Sequence, residues 1–221
     1  MNVLQKHEIF EIEVLNQLKS AKFLEPLVFG GGTMLRLCYD LNRYSVDLDF
    51  WFIRKMPVKD YFKKLHQYLK NTDYDITDAQ IKFYTLLFEI RSKNYPRRLK
   101  IEIRKALMKC DFQERIAFSQ YSTKQVIMRV HTLEQAMKNK IEAALERKAI
   151  RDFFDLEFLL RQGITLNTKT DNLKKLLKKA TSFSANDFKV ALGSLLDTQM
   201  RHYYIENKFE YLEKTILKSL S

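Results

Sequence analysis

At 221 residues and 46% apolar side chains, the chain can build one well-packed domain or two small ones, which excludes disorder as its main state. Only five glycines and three prolines punctuate it, so most residues belong in regular elements. Its 39 basic against 27 acidic residues leave a charge of +12, which favours a polyanionic partner and disfavours an acidic surface. Two cysteines, Cys38 and Cys110, are too few for a disulfide framework or a four-thiolate zinc site. The N-terminus lacks a basic stretch leading into an apolar one, and no run of about 18 apolar residues occurs anywhere. The expectation is a soluble cytoplasmic protein with reduced thiols and no membrane partner.

Ile9, Ile12, Leu15 and Leu18 recur at helical spacing and predict an amphipathic helix over residues 5–21. The short apolar run Leu27–Phe29 then ends in Gly30, Gly31, Gly32 and Thr33, three of the five glycines in one tripeptide. Residues 34–39 read as a helix, and Val46–Phe52 alternates as a strand. A basic amphipathic helix follows over residues 58–70. Residues 81–91 and 99–104 predict two strands of a hairpin turning at Asn94 and Pro96. From Thr132 the pattern is helical to the end, opening on a capping box of Thr132 with Gln135. Helices are expected to about Arg147, over 150–161 with a stop at Gly163, and over 170–181, 185–205 and 207–219. The layout is α+β: a mixed sheet core with flanking helices over residues 1–130, then a helical region over 131–221.

Strand alternation puts Asp47 and Asp49 on one face, two residues apart. Read alone, they are either a solvated face making ion pairs or ligands for a hard cation. Glu102 shares a face with Lys100 and Arg104 on the later strand, and becomes a third carboxylate if that strand neighbours the first. A strand ending in Gly-Gly-Gly-Thr before a helix lets backbone N–H groups approach a phosphate chain, with the helix N-terminus adding positive potential. The Thr33 hydroxyl can donate to a phosphate or cap the helix. The loop lacks the Gly-Lys-Ser/Thr ending of a P-loop. The four histidines show no metal-ligand spacing and read as surface or packing residues. Lys174, Lys175, Lys178 and Lys179 form either a solvated helix face or a patch for a phosphate backbone.

The segment from Phe29 to Phe50 resembles the first motif of the AbiEii/AbiGii toxin family, within the polymerase β-like nucleotidyltransferase superfamily. Gly31, Gly32 and Thr33 match its loop, and Arg43, Ser45, Asp47, Leu48, Asp49 and Phe50 match its Arg-x-Ser-x-Asp-Leu-Asp-Phe. Glu102 stands where the pattern has its late carboxylate, and Gly30 is one glycine more than the usual pair. Lys140, Arg147, Arg151, Asp152 and Asp155 match a second block, although read alone this stretch is also an amphipathic helix pair bridged by its own charges.

The resemblance implies a polymerase β-like fold and a metal-dependent transfer of a nucleoside monophosphate from an NTP to an acceptor hydroxyl. It implies Mg²⁺ or Mn²⁺ on Asp47, Asp49 and Glu102, and nucleotide contacts from Gly31, Gly32, Thr33, Arg43, Ser45, Lys140, Arg147 and Arg151. Asp152 and Asp155 join the catalytic set. It further implies a toxin with a cognate antitoxin and RNA, tRNA above all, as acceptor. Transfer to a small molecule of the aminoglycoside kind, and a silent nucleic-acid-binding module, are the alternatives.

Overall fold

The computed structural model describes residues 1–221, which form two compact units. The first comprises residues 1–40 and 44–131; the second comprises 41–43 and 132–221.

The first unit opens with α1 (Val3–Ser20), where Asn2 and Gln5 cap each other's backbone N–H groups. Next come β1 (Leu27–Gly30), α2 (Gly31–Tyr39), β2 (Asp47–Phe52) and α3 (Val58–Lys70). Five strands complete it: β3 (Asp75–Ile81), β4 (Thr85–Arg91), β5 (Leu99–Leu107), β6 (Phe112–Ala117) and β7 (Val126–His131). They form one mixed seven-stranded sheet in the order β3-β4-β5-β2-β1-β7-β6. The β2–β5 and β1–β7 pairs are parallel, and the others are antiparallel. Alternation sorts β2 cleanly: Leu48, Phe50 and Phe52 are buried, while Asp47, Asp49 and Trp51 stay half-buried on the opposite face. Phe50 packs on Phe29 of β1, and Phe52 meets Tyr61 of α3 edge to face.

The run expected as one strand over 81–91 is the end of β3, a turn and β4. Lys82 N–H donates to the Thr85 carbonyl and closes a turn that carries no glycine or proline. Three strands lie outside the expected ones: β6, β7 and all of β3 before Ile81.

The second unit contains α4 (Leu133–Glu146), α5 (Ile150–Arg161), α6 (Thr170–Ala180), α7 (Thr198–Asn207) and α8 (Glu210–Leu220). Thr132 accepts the Gln135 N–H and starts α4. The single helix expected over 185–205 is broken. Residues 187–192 wind as a π turn, 193–195 as a 3₁₀ turn, and Asp197 caps a new helix by accepting the Met200 N–H. In this unit's core Phe183 meets Phe153, Phe188 and Phe209 edge to face, and Phe188 and Phe209 pack at a tilt. Buried Glu157 accepts from the Tyr204 hydroxyl, Arg161 and the Leu212 N–H, so its charge is fully engaged.

Candidate active site

In the first unit, β1 runs straight into α2 through the glycine loop. Gly30 is the N-cap of α2 and offers no side-chain acceptor, so the N–H groups of Gly31, Gly32 and Thr33 begin the helix without a side-chain cap. Such an end suits an anion. Thr33 is fully buried, and its hydroxyl donates to the Asp47 carbonyl at 2.6 Å. That bond ties the loop to the strand carrying the two aspartates and commits the hydroxyl's one proton.

Gly31 has a φ of +75°, and a β-carbon there would run into the Asp49 carboxylate. The extra glycine has its own reason. A β-carbon at Gly30 would come within 2.6 Å of both the Trp51 ring and His131 Nδ1. Gly31→Ala is therefore expected to add about 1–2 kcal/mol of backbone strain and to displace Asp49. Calorimetric melting checks this, and an unchanged midpoint would refute the close packing.

Asp47 and Asp49 stand opposite Lys100 and Glu102 on the parallel neighbour β5, with Asp49 in register with Glu102 and Gly30 on its other side. Glycine loop, aspartate pair and late carboxylate are thus consecutive across three strands. These oxygen donors suit Mg²⁺ or Mn²⁺ in kind. No three acidic, histidine or cysteine side chains converge as a ready-made metal cluster.

The expectation for His7 was a surface or packing role, and the structure gives it a specific contact. Buried on α1, its Nε2 donates to the Val46 carbonyl at 3.0 Å, one residue before Asp47. Burial pushes its pKa down, only partly offset by that bond. Glu11, one turn on, is held well above the carboxylate range by burial and then by the charges of Glu8 and Asp47. Glu8 is engaged by Arg36 and Ser119. The available signal was two glutamates on the helix face that carries Ile12 and Leu15.

In the second unit, the other predicted residues form a buried charge network. Arg43, 2% exposed, grips Asp155 through two bonds of 2.7 Å each. Lys140 reaches Asp155 at 2.6 Å and Asp152 at 3.0 Å, and Arg147 closes on Asp152 at 2.8 Å. Arg151 is exposed at the start of α5 and stands apart from this network, and Ser45 is half-buried ahead of β2. Lys179 donates to the Ala144 and Leu145 carbonyls at the end of α4, while Lys174, Lys175 and Lys178 remain exposed.

Burial opposes charge on Asp152, but Lys140 and Arg147 outweigh it and hold the carboxyl at about 2, against an ordinary 3.8. A depressed carboxyl stabilises the fold above its unfolded pKa and loses that stabilisation as pH falls through the folded one. Lowering pH from 4 to 2 should therefore cost roughly 2 kcal/mol at this residue. Urea midpoints at pH 4, 3 and 2 measure it, and Asp152→Asn should flatten the trend.

A family model described as "Nucleotidyl transferase AbiEii toxin, Type IV TA system" matches residues 13–212. No curated protein matches. A Helicobacter pylori crystal structure provisionally assigned as a nucleotidyltransferase is 20% identical over 96% of this chain and 97% of its own, with a TM-score of 0.53. The Helicobacter pylori protein JHP933 is 20% identical over 95% and 94%, with a TM-score of 0.49. The first of these shares the fold. The family match spans almost the whole chain and takes in the glycine loop, the aspartate strand and the charge network: the chain belongs to the AbiEii nucleotidyl transferase toxin family.

Proposed function

We propose that this chain is the toxin of a toxin–antitoxin pair and moves a nucleoside monophosphate from an NTP onto a hydroxyl of RNA, with tRNA the preferred acceptor. The observation that carries this reading is the register of Gly30, Asp49 and Glu102 on adjacent strands, with α2 opening beside them. In this reading the N–H groups of Gly31 and Gly32 donate to triphosphate oxygens, and Thr33 holds the loop in place through the Asp47 carbonyl. Asp47 and Asp49, with Glu102, would hold a divalent cation, which when bound neutralises charge on the triphosphate. Glu102 accepts the proton of the attacking hydroxyl. A new bond forms from that oxygen to the α-phosphorus, the bond to the β-phosphate bridge breaks, and pyrophosphate leaves. Lys140, which the family motif assigns to nucleotide binding, is held in place by Asp152 and Asp155.

Incubation with α-labelled NTPs, Mg²⁺ and total RNA should put label into RNA. Label appearing only on small molecules would overturn the RNA acceptor, and binding with no transfer would overturn the enzyme. Expression alone should arrest growth and Lys140→Ala should relieve it; harmless expression in several hosts would refute the toxin role.

A further inference from the structure

The turn between β4 and β5 forms a half-open cavity of about 290 Å³ with a basic wall. Arg91, Lys93, Arg97 and Arg98 all line it. Only Arg98 is paired, to half-buried Glu89 at 2.9 Å; Arg91, Lys93 and Arg97 make no ion pair. Three cations gathered around one space without an ion-pair partner repel one another, and an anion relieves that repulsion.

The wall is also built rather than loose. Tyr95 stacks on Phe10 of α1 at 4.6 Å, nearly parallel, and its hydroxyl donates to Glu13 at 2.6 Å. Buried Ser92 accepts the Asn94 N–H and fixes the turn behind the cations. The volume leaves room for one phosphate and the sugar beside it.

Its place in the sheet gives the cavity a direction. Arg98 precedes Lys100 by two residues, and Lys100 is the partner of Asp47 across β5 and β2. Strand rise and spacing put the Arg98 backbone about 8 Å from that of Asp47. Arg97 lies near enough to His7 and Glu11 for its charge to weigh on both, as the charge of Asp47 does.

We propose that this cavity holds a backbone phosphate of the acceptor strand, one or two nucleotides before the hydroxyl that reacts. The inference rests on the reading above that the acceptor is RNA. It selects the β4–β5 turn over the lysine run of α6, where Lys179 is already committed to the end of α4.

The test is filter binding of a 12-nucleotide single-stranded RNA to the whole chain, without NTP, from 50 to 200 mM salt. Lys93→Gln with Arg97→Gln should weaken binding about tenfold and reduce the log–log salt slope by roughly 1.4, at about 0.7 per lost single-strand contact. Lys63→Gln with Lys64→Gln, an equal charge loss on the exposed side of α3, should leave the slope nearly unchanged. All four side chains are exposed, and matching melting curves confirm folded variants. Equal losses from both pairs, or none from the turn pair, would overturn the proposal. So would unchanged RNA binding with a raised KM for NTP, since that gives the cavity to the nucleotide's phosphates. RNA binding that follows the turn pair, without any transfer of label, refutes the enzymatic reading and leaves this one standing. Transfer to RNA that ignores the turn pair does the reverse.

Discussion

Asp155→Ala should destabilise the chain by about 3–5 kcal/mol, the largest loss expected from any single charge removal in it. Asp155 is fully buried and faces two cations, Arg43 at 2% exposure and Lys140 at 8%. Removing its carboxylate leaves three cations, counting Arg147, around the single carboxylate of Asp152. A guanidinium taken out of water needs its bidentate acceptor, because its desolvation exceeds what one stray hydrogen bond returns. Asp155→Asn should cost nearly as much, since it keeps the volume and loses the charge. Arg43→Met combined with Asp155→Leu should recover much of the loss by replacing the pair with apolar volume. Urea midpoints at pH 7 read all three. A loss below about 1 kcal/mol for Asp155→Ala would mean that the network is not what holds Arg43.

Asp49→Asn, and Asp47→Asn equally, should lower nucleotidyl transfer by about 10³-fold or more, roughly 4 kcal/mol of transition-state stabilisation. Stability should hold or rise slightly. Asp47 and Asp49 share one strand face and repel, and the charge of Asp47 bears on buried Glu11 as well. The dissociation of activity from stability is the signature sought, because a structural aspartate would lose both together. Single-turnover transfer of labelled NTP, read beside calorimetric melting, separates the two. Residual transfer above about 10% in both variants would remove the aspartates from the chemistry.

Much of this was legible because the chemistry lies in short local patterns. The alternation of Val46–Phe52 placed Asp47, Asp49 and Trp51 on one face, and β2 shows that face half-buried. The hairpin of β4 with β5 was visible from Asn94 and Pro96. What escaped lacked local punctuation. The turn at Lys82–Tyr84 interrupts a run of β-branched and aromatic residues and is set by pairing of β3 with β4, a tertiary preference overriding local pattern. The break near Gly193 depends on Asp197 capping a new helix, which helical spacing alone does not reveal. In the candidate site, the glycine loop was legible but the reason for Gly30 was not. It depends on two rings, Trp51 and His131, brought in by different strands.

Those rings have a practical consequence. Trp51 is the chain's single tryptophan, two residues beyond Asp49, with its ring over Gly30 and its centroid 4.9 Å from that of His131. Burial pushes His131 down to about 4, so near neutral pH the indole faces an uncharged imidazole. All tryptophan emission from this protein therefore originates beside the loop proposed to take phosphates. The native, unlabelled chain carries a built-in optical probe of that one spot, and nucleotide titrations can be followed by intrinsic fluorescence without a chromophore being introduced.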